Sequence, residues 1–154
     1  MLRKIYFVLV ALGIAASGAL LTAHALAQEG GKVADADARA FKDFGEKAGL
    51  IKIMDDFMIG LLKDSRTKPF FENVDQQRVK EQLVDQICEI LKGPCEYKGG
   101  KMTPIHKELG LNREHFNALV EQLQFAMDKN NVPFSSQNKL LAVLAPMHRS
   151  IVTK

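Results

Sequence analysis

From Gln76 to Leu91 apolar residues recur every four positions, at Val79, Leu83, Ile87 and Leu91, with Val84 and Cys88 beside them. That period is one face of a helix. The run stops at Lys92-Gly93-Pro94, where glycine frees the backbone and proline cannot continue the helix. A polar loop follows, "CEYKGGK", with Gly99-Gly100 as a hinge. Thr103 to Glu108 offers at most two helical turns before Gly110. Then Asn112, a good N-cap, opens a new helix with Phe116, Leu119, Val120, Leu123 and Met127 inward. A loose, glycine-bearing segment between two strong helices is of little use to a plain bundle. It suits a bundle that wraps a flat cofactor, where a short helix sets one side chain against the cofactor plane. That segment carries His106; His115 lies nine residues on.

The rest of the pattern is helical too. Leu50, Met54, Phe57, Met58 and Leu61 share a face between Glu46 and Lys63. "DSRTKPFFENVD" breaks that helix with a turn containing Pro69. "NNVPFSS" precedes a last helix with Leu140, Leu144, Met147 and Ile151 on one face. Pro146 should bend that helix or weaken one turn. No alternating strand pattern appears, so the fold class is all-α.

The first 27 residues are of another kind. Arg3 and Lys4 precede an apolar run from Ile5 to Leu21, and "LTAHALAQE" closes it. This is the pattern of a secretory signal peptide, with a cut after Ala27 and a second choice after Ala25. The alternative is an uncleaved membrane anchor, since the run approaches the ~20 residues that span a bilayer. The expected localisation is therefore periplasmic or extracellular, or membrane-anchored if the segment stays. Residues 28–40 read as a flexible lead-in and short first helix, and 41–154 as one domain. Cleavage takes Lys and Arg from 21 to 19 against 18 acids, leaving a net charge of +1. That balance excludes a nucleic-acid partner, which needs a basic face.

Cys88 and Cys95 would meet an oxidising compartment after export. A disulfide there would contribute on the order of 2 kcal/mol. Two unpaired thiols remain the alternative, because geometry decides. There is no C-x-x-C-H, which excludes a c-type haem attachment by pattern.

The ordered blocks "FGEKAG…DDF", "PFFENVD", "KGPCEYKGGKM", "MTPIHKELGLNREHF" and "NNVP…LAPM" resemble the truncated (two-over-two) haemoglobins, group I, from about Phe41 to the C-terminus. The resemblance implies a helical sandwich around non-covalent haem b, with His106 as the proximal iron ligand. Neutral imidazole is the usual globin axial ligand and leaves the opposite face of the iron open. His115 does not match the ligand position. The resemblance puts Phe71 on the haem face and Tyr97 near the haem edge. Met102, Ile105, Leu111, Phe116 and Leu119 would line the proximal side, and Ile87 the pocket wall. Lys80, Lys98 and Lys101 are candidates for pairing with the propionates.

The distal side departs from the family pattern. Many members carry a tyrosine and glutamines there that donate hydrogen bonds to oxygen. Here the matching positions read Met58, Val79, Gln82 and Leu83, of which Gln82 alone is polar. Oxygen held in such a pocket becomes polarised, and a donor to a charged group is worth roughly 1.5–3 kcal/mol. Without it the pocket should discriminate less between oxygen and carbon monoxide, release oxygen faster and autoxidise more readily. Met58 as a sixth iron ligand is the sharper reading, and a flexible apolar wall the plainer one. The family's glycine pairs read Gly45-Glu46 and Lys92-Gly93 here, which bears on local turns.

Three functions compete. The first is reversible binding, transport or sensing of oxygen, nitric oxide or carbon monoxide. The second is an enzyme for nitric oxide dioxygenation or peroxide turnover with an external reductase. The third is a helical scaffold without haem. No flavin or nicotinamide motif lies in the chain, and the first reading makes it a binder rather than an enzyme.

Overall fold

The structure, a computed structural model, describes residues 39–154. The expected signal segment and nearly all of the lead-in and short first helix lie outside the described residues. The residues numbered 39–43 are helical, and a tight turn leads into α1, Glu46–Lys63. Five of its residues were expected inward, and all five are buried, with Ile53 added to them. Each such side chain contributes about 1.5–3 kcal/mol on burial. α1 is the central element and packs against both α3 and α5. Gly60 permits the second contact, since a Cβ there would meet the Gln122 side chain at 2.5 Å.

The stretch expected as a plain turn contains a short helix, α2, Lys68–Phe71. Pro69 is compatible with it because the first turn needs no proline N–H. Thr67, almost wholly buried, ties α2 to the end of α1: its hydroxyl donates to the Leu61 carbonyl at 2.7 Å. α3 spans Gln76–Ile90 and is capped by Asp75, whose carboxylate accepts from the Arg78 amide.

α3 stops where Lys92-Gly93-Pro94 was expected to end it, by a stop with an unexpected detail. Its left-handed residue is Lys92, at φ +61°, rather than Gly93. The Gly93 amide donates to the Cys88 carbonyl at 2.8 Å and the Lys92 amide to Glu89 at 3.0 Å, the paired bonds of a Schellman stop. Gly93 is needed for a different reason. A Cβ there would lie 2.6 Å from the Phe41 ring and 2.7 Å from the Cys88 sulfur. Cys88 and Cys95 are joined as a disulfide, with Cα atoms 5.7 Å apart.

The remaining helices are α4, Met102–His106; α5, Arg113–Lys129; α6, Phe134–Leu144; and α7, His148–Ile151. On α5, Leu123 and Met127 are buried as expected, but Phe116, Leu119 and Val120 are only half-buried. A 3-10 turn at Ala145–Met147 separates α6 from α7 and contains Pro146, the weakened turn that residue implied. No strand occurs among the described residues. No helix among them is long and apolar enough to cross a membrane.

Candidate functional site

α4 is barely more than one turn. Lys101 enters it in extended conformation, and Gly110, at φ +62°, closes the segment beyond it. His106 stands half-buried at its end. Its Nδ1 lies 2.7 Å from the Met102 carbonyl oxygen. A carbonyl only accepts, so Nδ1 carries the proton and Nε2 carries the lone pair. That bond fixes the tautomer and orients the ring, which is what a metal-ligating imidazole requires.

His115 has the opposite arrangement. Its Nδ1 accepts from the Asn112 amide at 3.3 Å, and the His115 amide donates to the Asn112 side chain at 2.9 Å. The pair forms a capping box at the start of α5. The ring sits edge-on to Phe70 with centroids 4.9 Å apart. With Nδ1 accepting, the proton is on Nε2, and His115 has no free lone pair to offer. His106 and His115 therefore divide into one available nitrogen donor and one helix cap.

The residues expected around the cofactor fall into two groups. Met58 and Ile87 belong to the buried core, and Phe71, Val79, Leu83 and Leu119 pack on it half-buried. The other group gathers at the C-terminal end of the chain. α4 packs on α7. Leu111 is buried, and its carbonyl accepts from the amides of Thr153 at 2.8 Å and Lys154 at 3.1 Å. Phe116 meets His148 edge-on at 5.1 Å. Met102 holds His106 as described, while Ile105 leaves 48% of its surface uncovered and Leu109 46%. Two apolar side chains close to His106 in the chain are thus half open, which suits contact with a flat apolar group.

A family model for bacterial-like globins matches residues 39–153. The chain belongs to the bacterial-like globin family. Its relatives include a group 1 truncated haemoglobin of Synechocystis, 31% identical over 114 residues, which cover 71% of this chain and 92% of the relative. Another, from Tetrahymena pyriformis, is 32% identical over 94 residues, 61% of this chain and 78% of that one. The crystal structure of the Tetrahymena pyriformis truncated haemoglobin in its Fe(III) form superposes with a TM-score of 0.71 at 28% identity. It covers 75% of this chain and 98% of that chain. The 2/2 haemoglobin of Synechococcus, solved in a cyanomet state with covalently attached haem, shares the fold at a TM-score of 0.67 and 24% identity. This globin accordingly has the two-over-two helical sandwich, and haem with its iron is its cofactor. The available Nε2 of His106 and the half-open apolar side chains close to it in the chain fit that group.

The polar candidates are placed unequally. The Lys80 ammonium lies 2.6 Å from Asp55 of α1, so a propionate would compete with that carboxylate. Lys98 pairs with Glu96 at 3.3 Å, both highly exposed. Lys101 is exposed and makes no ion pair among the described residues. Gln82 is half-buried with its amide against the loop, where a side chain at Gly99 would collide with both Gln82 and Tyr97. The Tyr97 hydroxyl donates to the Gly100 carbonyl at 3.0 Å, and burial pushes its pKa upward. Reading the residues alone missed the clamp that the C-terminal residues place on Leu111, which is backbone to backbone and leaves no side-chain signature. It also missed His115 as a cap. The Asn-x-x-His spacing was the available signal, with histidine in the place usually held by Glu or Gln.

Proposed function

We propose that this globin binds a small gaseous ligand reversibly on haem b held by His106, in an exported form of the protein. The observation that carries the reading is the 2.7 Å contact from His106 Nδ1 to the Met102 carbonyl, which leaves Nε2 as the axial donor. Held by His106, haem would supply an iron able to take up a diatomic gas. The chain supplies the rest. Leu111, Phe116 and Ile105 form the proximal bed, and Lys101 is the propionate partner with no competing carboxylate. Phe71 and Leu119 pack on the faces, and Tyr97 sits at the edge.

On the distal side Met58, Val79 and Leu83 exclude water and donate no hydrogen bond. Gln82 is turned to the loop at Gly99. A ligand that becomes strongly polarised on binding gains little there, so oxygen is released quickly, and carbon monoxide and nitric oxide lose less. The Cys88–Cys95 disulfide supports export, because such bonds persist in oxidising compartments. So do Arg3 and Lys4 before the apolar run that ends at "LTAHALAQE".

Absorption spectra of the purified protein in ferric, ferrous and carbon monoxide forms test the cofactor and its coordination. A Soret band with a five-coordinate ferrous form is expected; no Soret band overturns the haem reading, and the five-coordinate form eliminates Met58 as a sixth ligand. Stopped-flow oxygen dissociation then tests the pocket. Release as slow as in relatives bearing a distal tyrosine would refute its apolar character.

A further inference from the structure

Residues 92–101 lie back along α3 and are fastened to it in three places. Cys95 is bonded to Cys88, whose side chain is completely buried. The Tyr97 amide donates to the Glu89 carboxylate in an exposed bond. Gly99 fits against the Gln82 amide. The loop is then continuous with the proximal helix. The Tyr97 hydroxyl holds the Gly100 carbonyl, and Gly100 sits so close to Ile105 that a Cβ would meet its side chain at 2.4 Å. Ile105 precedes His106. A line of contacts thus runs from the buried sulfur in the core to the neighbour of the axial donor. The disulfide is the covalent member of that line. An exposed hydrogen bond and a packing contact hold far less firmly.

We propose that the Cys88–Cys95 disulfide is a redox-responsive positioning device for His106, taking dithiol reductants as its substrate class; the functional consequence rests on the haem-binding reading above. A thiolate of the dithiol attacks the Cys95 sulfur, which is half-buried where Cys88 is sealed. The S–S bond breaks, and Cys88 leaves as a thiolate and takes a proton. The second thiolate of the reductant closes its own disulfide and releases Cys95 as a thiol. Two electrons and two protons pass from the dithiol to the protein, and the dithiol is oxidised. The loop then keeps only its two weaker fastenings, and α4 loses its fixed attachment to α3. Reduction therefore weakens the hold on haem, and reoxidation restores it.

The test uses the full haem-loaded protein, reduced with a trialkylphosphine that takes up one oxygen from water and is then removed. Amide hydrogen exchange across residues 96–109 reads the tether without reference to haem. Transfer of haem to an apo-myoglobin acceptor reads its consequence. Exchange should accelerate through that whole stretch, and haem transfer should rise roughly tenfold, the scale a short-loop disulfide can impose. Air reoxidation should reverse both. Cys95→Ala should show the fast values without reductant and ignore the phosphine; should it not fold, the reduced wild-type chain alone decides. Faster exchange confined to residues 92–95, haem transfer within about twofold of the untreated protein, or a phosphine response in Cys95→Ala would overturn the proposal. A wild-type protein lacking a Soret band would sink the haem reading instead, while the exchange readout would still decide the tether.

Discussion

Lys92 holds a left-handed backbone, φ +61°, at the point where α3 must stop and the chain turn toward the proximal segment. A residue with a Cβ is penalised there by about 1–2 kcal/mol, against the ~0.4–1 kcal/mol that glycine costs through the freer unfolded chain. Lys92→Gly should therefore stabilise the protein by about 0.5–1 kcal/mol, read as a higher urea midpoint at unchanged slope. An unchanged or lower midpoint would mean that the lysine side chain compensates for its backbone. On the proposed reading, Met58 is the residue that sets ligand behaviour. It is 4% exposed and belongs to the core cluster against which Val79 and Leu83 pack. Met58→Tyr introduces a hydroxyl donor in similar volume and should slow oxygen dissociation tenfold or more, since one bond to a polarised ligand is worth roughly 1.5–3 kcal/mol. Stopped-flow release with no change in rate would show that this side chain does not face the ligand.

At the scale of elements, the junction of α1, α2 and α5 is held by charge. Asp64 accepts from the Arg66 amide at 2.9 Å, from the Arg66 guanidinium and from the Gln122 amide at 2.9 Å. Arg66 also reaches Glu121 on α5. The Arg66 guanidinium, chiefly, holds the Asp64 carboxyl well below the usual carboxylate range. A carboxyl depressed in the folded state stabilises it fully above its unfolded pKa, near ~3.9, and that contribution is lost as pH falls below it. Unfolding measured in urea at about pH 5 and about pH 3 should show a drop that is shallower in Asp64→Asn. Equal drops in both proteins would remove Asp64 from the acid response.

The same scale shows where reading residues succeeds. α1 was legible at both ends because its apolar period is unbroken and Gly45 and Asp64 flank it. α2 was not, because four residues carry no period and Pro69 argues for a turn unless it falls in a first turn. The half-burial of Phe116 and Leu119 was also out of reach, since periodicity identifies a face but not what covers it.

For the molecule as a whole, the all-α class follows from the helical period of the long elements and the breakers between them, while the sandwich arrangement was what the resemblance to truncated haemoglobins implied. The functional site was legible in part. The loose segment drew attention to His106, but its role as iron ligand was implied by the resemblance to truncated haemoglobins. The hydrogen bond that aims it joins two residues within one short helix, and a sequence does not state a rotamer or tautomer. Cys88 and Cys95 were visible as a pair, and only the Schellman stop at Lys92-Gly93, by folding the loop back on α3, brings them within bonding distance. The central claim is that Nε2 of His106 is the nitrogen on iron. The low-frequency resonance Raman spectrum of the ferrous protein reads that bond directly, in wild type and in His106→Ala. The account predicts an iron–histidine stretching band in the wild type that vanishes in the variant; a band that persists unchanged in His106→Ala would contradict it.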